Sequence, residues 1–290
     1  QNITVEFDNW EDEGCGTTNG VFLTRACDEM CGADTTVYCK GAWYRKSDNV
    51  TENSVCEQTG AYFDGFSSIY VAPSINSPIN DPSTAQFELQ ALTLEFWVNP
   101  TYGIYPSQTG IVGMDAKLID DNGKHSGYGF IVNAPLSTQK TNLVTWVVAQ
   151  PGTQYDDLSC SYPLAPQTWT HFAGTFDPEL GISLYVDGIL TCNATPNYAS
   201  GVPDYNIRRL WRIGGKPVEA TTNDEHLLLF TGMIDEVRLW NYARTSSQIQ
   251  FYYGSKMNPL TTGLVLYFPF DLGMINPFMN IAPATTTPQW

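Results

Sequence analysis

From residue 57 onward the chain consists of short runs in which apolar and polar residues alternate. A period of two sends successive side chains to opposite faces, which suits a strand and defeats a helix. Leu92, Leu94, Phe96 and Val98 alternate with Thr93, Glu95, Trp97 and Asn99, and Pro100 stops the run. This is the pattern of a half-buried strand. Residues 142–149 are apolar on both faces, as a covered central strand requires. Residues 169–176 read as a further strand. Residues 182–186 and 189–192 flank Asp187-Gly188, a dipeptide suited to a two-residue type I′ hairpin turn. Residues 233–240 alternate again, and their parity puts Asp235 on one face with Met233, Val237 and Leu239. Helices are expected only as short pieces near 245–251 and 24–30. Gly, Pro, Asn and Asp separate the runs and no strand–helix–strand rhythm appears, so the fold is all-β, a sandwich or a barrel.

Charge narrows the partners. Fourteen basic against 30 acidic residues give a formal charge of −16, and no Lys/Arg cluster interrupts it. Nucleic acid and anionic membrane surfaces both need positive patches and are poor partners; divalent cations suit the balance better. No apolar run reaches membrane-spanning length. Charged residues are 15% of the chain, well under the roughly 25% of ordinary globular proteins, as extracellular β proteins tend to be.

Seven cysteines stand at Cys15, Cys27, Cys31, Cys39, Cys56, Cys160 and Cys192. The first five lack the paired two-residue spacing of zinc sites and point to a disulfide-stapled segment. Cys160 and Cys192, on or beside strands flanking the hairpin, are expected to bond to each other. Sequons begin at Asn2, Asn49 and Asn193, with Ile, Val and Ala at the middle positions, so all three are expected to carry N-glycans. Cysteines and sequons together predict a secreted or cell-surface protein, with Gln1 as a processed terminus. The expected organisation is a Cys-rich segment over 1–56, a β domain over 57–254, and a strand with a Thr/Pro-rich tail over 255–290.

Five stretches carry a family resemblance: YFDG at 62–65 with Tyr70-Val71, LTLEFWV at 92–98, WTHFAGTFD at 169–177, LYVDG at 184–188, and FTGMIDEVRLW at 230–240. In this order they resemble the laminin-G-like branch of the concanavalin A-like fold, which includes pentraxins and legume lectins. The resemblance covers about 57–254 and implies a two-sheet antiparallel jelly-roll sandwich. LVLYFPFD at 264–271 is similar to the opening strand of such domains, here at the C-terminal end. It is either a permuted closing strand or a sign that the chain was cut from a longer precursor.

The resemblance also implies a structural Ca²⁺ held by Asp235 with carbonyls around Asp64, since calcium accepts many carbonyl oxygens. Asp115, Asp120, Asp121, Asn122 and Gly123 form an acidic loop that is a solvated turn or a second calcium loop. His171 is expected in the core. His125 and His226 have no nucleophile signature nearby. Asp235 and Glu236 are adjacent in a strand and should face opposite ways. The Glu-x-Asp-x-x-Glu motif of laminarinase-type hydrolases is absent. Trp43, Trp97, Trp211 and Tyr102 could stack on sugars but equally suit core or edge cover.

The sequence therefore predicts a non-enzymatic extracellular structural or adhesive module, a glycosylated subunit of a filament or matrix. The alternative is a Ca²⁺-dependent carbohydrate-binding lectin. Self-association through the chain ends is expected, because five N-terminal cysteines leave one over and residues 2–8 alternate as a strand that could pair outside the domain.

Overall fold

The computed structural model describes residues 4–7, 21–25, 59–65, 68–72, 86–101, 109–114, 127–133, 141–150, 158–196, 203–205, 211–216 and 228–270. The strands begin with β1 (Thr4–Phe7), β2 (Val21–Arg25), β3 (Thr59–Asp64), β4 (Ile69–Ala72), β5 (Leu92–Pro100) and β6 (Thr109–Met114). They continue with β7 (Tyr128–Asn133), β8 (Leu143–Val148), β9 (Leu158–Pro163), β10 (Thr170–Asp177), β11 (Gly181–Val186) and β12 (Ile189–Ala194). The last are β13 (Trp211–Ile213), β14 (Gly215–Lys216), β15 (Leu228–Leu229), β16 (Thr231–Trp240) and β17 (Leu264–Phe268). One helix, α1 (Ser246–Tyr252), follows β16.

All described pairings are antiparallel, and they build two large sheets and a two-stranded one, β14-β15. Of the large sheets, one runs β1-β4-β13-β6-β7-β8-β9; the other runs β12-β11-β10-β5-β16-β3-β2, with β17 added beside β16. The sheets face each other across a core in which Phe96 and Phe172 of one meet Phe130 and Trp146 of the other. Phe96 and Phe130 pack edge to face at 4.9 Å. Gly174 of β10 leaves room for the Trp146 ring, which would come within 2.3 Å of a Cβ there. The indole Nε1 of Trp146 donates to the Thr175 carbonyl at 3.1 Å, so this large buried ring keeps its one polar atom satisfied.

The expected elements appear where periodicity and turn chemistry agree. Asp187 and Gly188 have φ of +48° and +78°, the two positive values that a type I′ turn demands. Asp187 also accepts the His171 backbone N–H at 2.9 Å, which pins the hairpin tip to β10. Thr245 and Gln248 cap α1 reciprocally. β9 and β12 are the last strands of their sheets on the same side of the sandwich, and the Cys160–Cys192 disulfide joins them with a Cα–Cα distance of 5.8 Å.

Two expectations change. Thr24 and Arg25, expected to open a short helix over 24–30, belong to the strand Val21–Arg25 paired with β3, and residues 26–30 lie outside the described residues. Thr4–Phe7 pairs with Ile69–Ala72 of the same chain, so the N-terminal strand finds its partner at home. The strand expected within 255–290 is present and belongs to the sandwich. Leu264–Phe268 pairs with Val237–Trp240, and Val265, Leu266, Phe268 and Phe270 join the sandwich core. Along one side of β16, β3 takes its first half and β17 its second, while β5 takes the other side.

Candidate functional site

The chemistry-bearing residues gather on the outer face of the eight-stranded sheet. Pairing register lines up Tyr185, Ala173, Glu95, Arg238 and Tyr267 in one row across five strands. A parallel row holds His171, Trp97 and Asp235. Alternation explains the placement: Leu94 and Phe96 point into the sandwich, so Glu95 between them points out.

That outward face is covered. α1 lies over it, with Ile249 packed on Ala173 and Tyr185. The small Ala173, beside Tyr185 in the row, gives the helix a seat. Tyr185 Oη and Ser246 Oγ share a hydrogen bond of 2.9 Å at the helix start. Past the helix, Trp97 Nε1 donates to the Tyr253 carbonyl at 3.0 Å and Arg238 Nη2 to the Ser255 carbonyl at 2.6 Å. A helix end leaves carbonyls without intrahelical partners, and a cation is the best donor to them.

Glu95 sits under this roof at 0% exposure. Its Oε1 accepts from Arg244 Nη1 at 2.7 Å and Trp240 Nε1 at 2.9 Å, with Arg238 Nη1 at 3.6 Å. Its Oε2 lies 3.7 Å from His171 Nε2. Arg244 stacks on the Trp240 ring at 4.5 Å. Glu236 accepts from Arg238 Nη2 and, at 2.9 Å, from the Tyr267 hydroxyl. Two glutamates face two arginines, so the buried charge cancels. Burial pushes the Glu95 carboxyl up, but Arg238, Arg244 and His171 together pull harder and hold it below the usual carboxylate range.

Residues 74–250 match the family described as the Concanavalin A-like lectin/glucanases superfamily. The chain belongs to this superfamily. No curated protein matches the sequence. Among solved structures, a candidate carbohydrate binding protein from Bacteroides ovatus ATCC 8483 shares 14% identity over 97% of this chain and 90% of its own, with a TM-score of 0.49. The Ruminococcus gnavus IT-sialidase CBM40 bound to alpha2,3 sialyllactose shares 11% over 60% of this chain and 88% of its own, at 0.46. A heptameric SAP-like pentraxin from Limulus polyphemus shares 14% over 56% and 69%, at 0.40. At such identities the likeness concerns the fold.

In a superfamily that includes glucanases, paired carboxylates are the feature to examine. Glycoside hydrolysis needs one carboxyl kept protonated as a general acid and an open path for the sugar. Glu95 and Glu236 are brought together through Arg238, but Glu95 is held ionised and the strap of residues 241–263 covers both. The pair clamps the strap to the sheet. Sequence parity missed it because Glu95 reads as an ordinary solvent-facing residue. The available signal was the excess of Arg, Trp and Tyr at the same parity, which solvent-facing strand positions seldom need.

Asp235 does not sit where sequence parity put it. The ladder between β16 and β5 shifts between Asp235 and Arg238, and Glu236 there has φ of +54°. This bulge inserts one extra residue, so Ile234 and Val237 both reach the core and Asp235 turns outward opposite Trp97. Glu236 turns to the same outer side, so the two acids do not face opposite ways. Asp235 Oδ1 accepts the Glu236 backbone N–H at 2.9 Å. Asp64 stands opposite Thr231, four positions along the ladder from Asp235. That is about 13 Å at strand rise, far beyond what one Ca²⁺ can bridge. Among the described residues no group of three or more His, Cys, Asp or Glu could hold a metal. Asp64 and Asp235 therefore do not fit a shared calcium site.

His171 is buried, but under the strap against the Trp97 and Tyr253 rings, at 5.5 and 5.6 Å, and outside the apolar core. Trp211 is core and Trp97 is half-buried. Cys15, Cys27, Cys31, Cys39, Cys56, Asn2, Asn49, Trp43, Tyr102, His125, His226, the loop with Asp115, Asp120 and Asp121, and the tail beyond 270 lie outside the described residues.

The clamp has a pH signature. A carboxyl with a lowered folded-state pKa contributes stability that is fully present above its unfolded value, here the ordinary 4.5. That contribution is lost as pH falls through the lower folded value. Thermal midpoints are therefore expected to drop below about pH 4.5, and Glu95→Gln should flatten part of that drop. Equal slopes in wild type and Glu95→Gln would refute this linkage.

Proposed function

We propose that the chain is a non-catalytic, extracellular carbohydrate-binding module. Membership of the superfamily supplies the ligand class. The state of the clustered carboxylates carries the rest: Glu95 is ionised, Glu236 is bonded to Arg238 and Tyr267, and both are roofed over. The Cys160–Cys192 bond supports an oxidising, extracellular setting. Calcium enters this reading as a dependence of glycan binding, through residues other than an Asp64–Asp235 pair. The test is a glycan array probed with the whole chain, with and without a calcium chelator, alongside an assay for released reducing sugar. Binding to a defined glycan class without sugar release is expected, and chelation should weaken it. Sugar release, or no binding to any glycan, overturns the reading.

A second reading, a self-associating structural module, draws on one count. The Cys160–Cys192 bond leaves five cysteines over residues 15–56, an odd number. Light scattering before and after reduction separates it from the first: a large species that reduction dissolves would favour assembly.

A further inference from the structure

Among the described residues β12 is an open edge: it ends the eight-stranded sheet and pairs with β11 alone. Natural proteins blunt such edges with charges, prolines, bulges or cover, because unpaired backbone groups invite a strand from another molecule. β12 reads ILTCNA and carries no charged residue. It does carry exposed apolar side chains, Ile189 at 64% and Leu190 at 45%.

Two devices protect its ends. The ladder shifts between Leu184 and Tyr185, and Thr191 fills the bulge by donating Oγ1 to the Leu184 carbonyl at 3.0 Å. Pro196 follows shortly after the other end. Between them runs one regular stretch, Cys192 to Ala194, in register with Leu184, Ser183 and Ile182. Asn193 is its centre. Cys192 turns inward to its disulfide, so Asn193 turns outward, and it is exposed. Thr195, the third sequon position, is exposed too.

We propose that Asn193 carries an N-linked glycan and that this glycan guards the β12 edge against pairing with a second copy of the chain. The sequon is the attachment signal, and the neighbouring disulfide belongs to the compartment where such glycans are added. In the attachment step the Asn193 side-chain nitrogen bonds to the anomeric carbon of a lipid-pyrophosphate-linked oligosaccharide. The bond from that carbon to the pyrophosphate oxygen breaks, the lipid pyrophosphate leaves, and the amide gives up one proton. A second copy is the natural intruder. Two identical uncharged strands can lie antiparallel across a two-fold axis with no charge opposing charge along the edge. The overall charge of −16 repels copies only weakly at physiological salt, where screening acts over about 8 Å.

The whole chain is expressed in a glycosylating eukaryotic host as wild type, Asn193→Gln and Thr195→Ala. Peptide mass mapping of wild type should show a glycan on Asn193. Light scattering should show both variants at roughly twice the wild-type protein mass. Thr195→Ala keeps Asn193 itself, and endoglycosidase trimming of folded wild type needs no mutation, so a folding defect in one variant does not hide the result. Adding Leu190→Lys to Asn193→Gln should return the wild-type mass. An unmodified Asn193 in wild type overturns the proposal. So do variants and trimmed protein that keep the wild-type mass.

Discussion

Replacing Arg238 with leucine is expected to destabilise the fold by about 3–5 kcal/mol. The guanidinium lies between Glu95 and Glu236 and is itself almost fully buried. Removing it leaves two carboxylates out of water, and the loss comes mostly from these stranded charges and only partly from the missing bonds. Glu95 keeps Arg244, whereas Glu236 is left with the Tyr267 hydroxyl among the described residues. The strap also loses its donors to the Tyr252 and Ser255 carbonyls. Urea unfolding at neutral pH measures the effect. Arg238→Lys, which keeps the charge but loses the planar fork, should fall between wild type and leucine. The penalty should shrink in acid, where Glu95 takes up its proton. A leucine variant within about 1 kcal/mol of wild type would mean that the cluster relaxes or hydrates, against the clamp described above.

Converting Cys160 and Cys192 together to serine is expected to cost about 3–4 kcal/mol in the chain-entropy account of a bond closing this loop. The cysteines are 32 positions apart, and the bond joins the terminal strands of the two sheets. Its loss frees the unfolded chain and unties one side of the sandwich at once. The double variant is the proper comparison, because a single replacement leaves a thiol able to mispair with the five cysteines of residues 15–56. Denaturant midpoints of the oxidised wild type and the double serine variant give the number. A difference under about 1 kcal/mol would place the stability in the core alone, with the bond a redundant tie.

Much of this architecture can be read from alternation and turn chemistry, since both act locally. LTLEFWVNP can bury its Leu and Phe residues only as a strand, and Asp-Gly at 187–188 admits the hairpin turn. The disulfide was legible because only two cysteines lie in that region. What stayed hidden depends on distant partners. The bulge at Asp235–Glu236 is one extra residue in one strand, chosen by packing against β5. Alternation within 233–240 gives no sign of it and so misplaces Asp235. Glu95 looks solvent-facing until α1 and the strap, about 150 positions later, come to cover it. Likewise, Leu264–Phe268 announces a strand but not that β16 has half a side waiting for it.

That waiting side has a consequence for biosynthesis. A ribosome delivers this chain from its N-terminus, so β3, β5 and β16 are all in hand long before residue 268 emerges. Until then the second half of β16 presents bare backbone along one side, and the interior lacks Val265, Leu266 and Phe268. A nascent sandwich in this condition exposes apolar surface and an unpaired edge, the two features that make partly folded chains aggregate. The sandwich can close only once residues 264–268 have left the ribosome, and a stop codon before residue 264 yields a chain that lacks this strand and its part of the core.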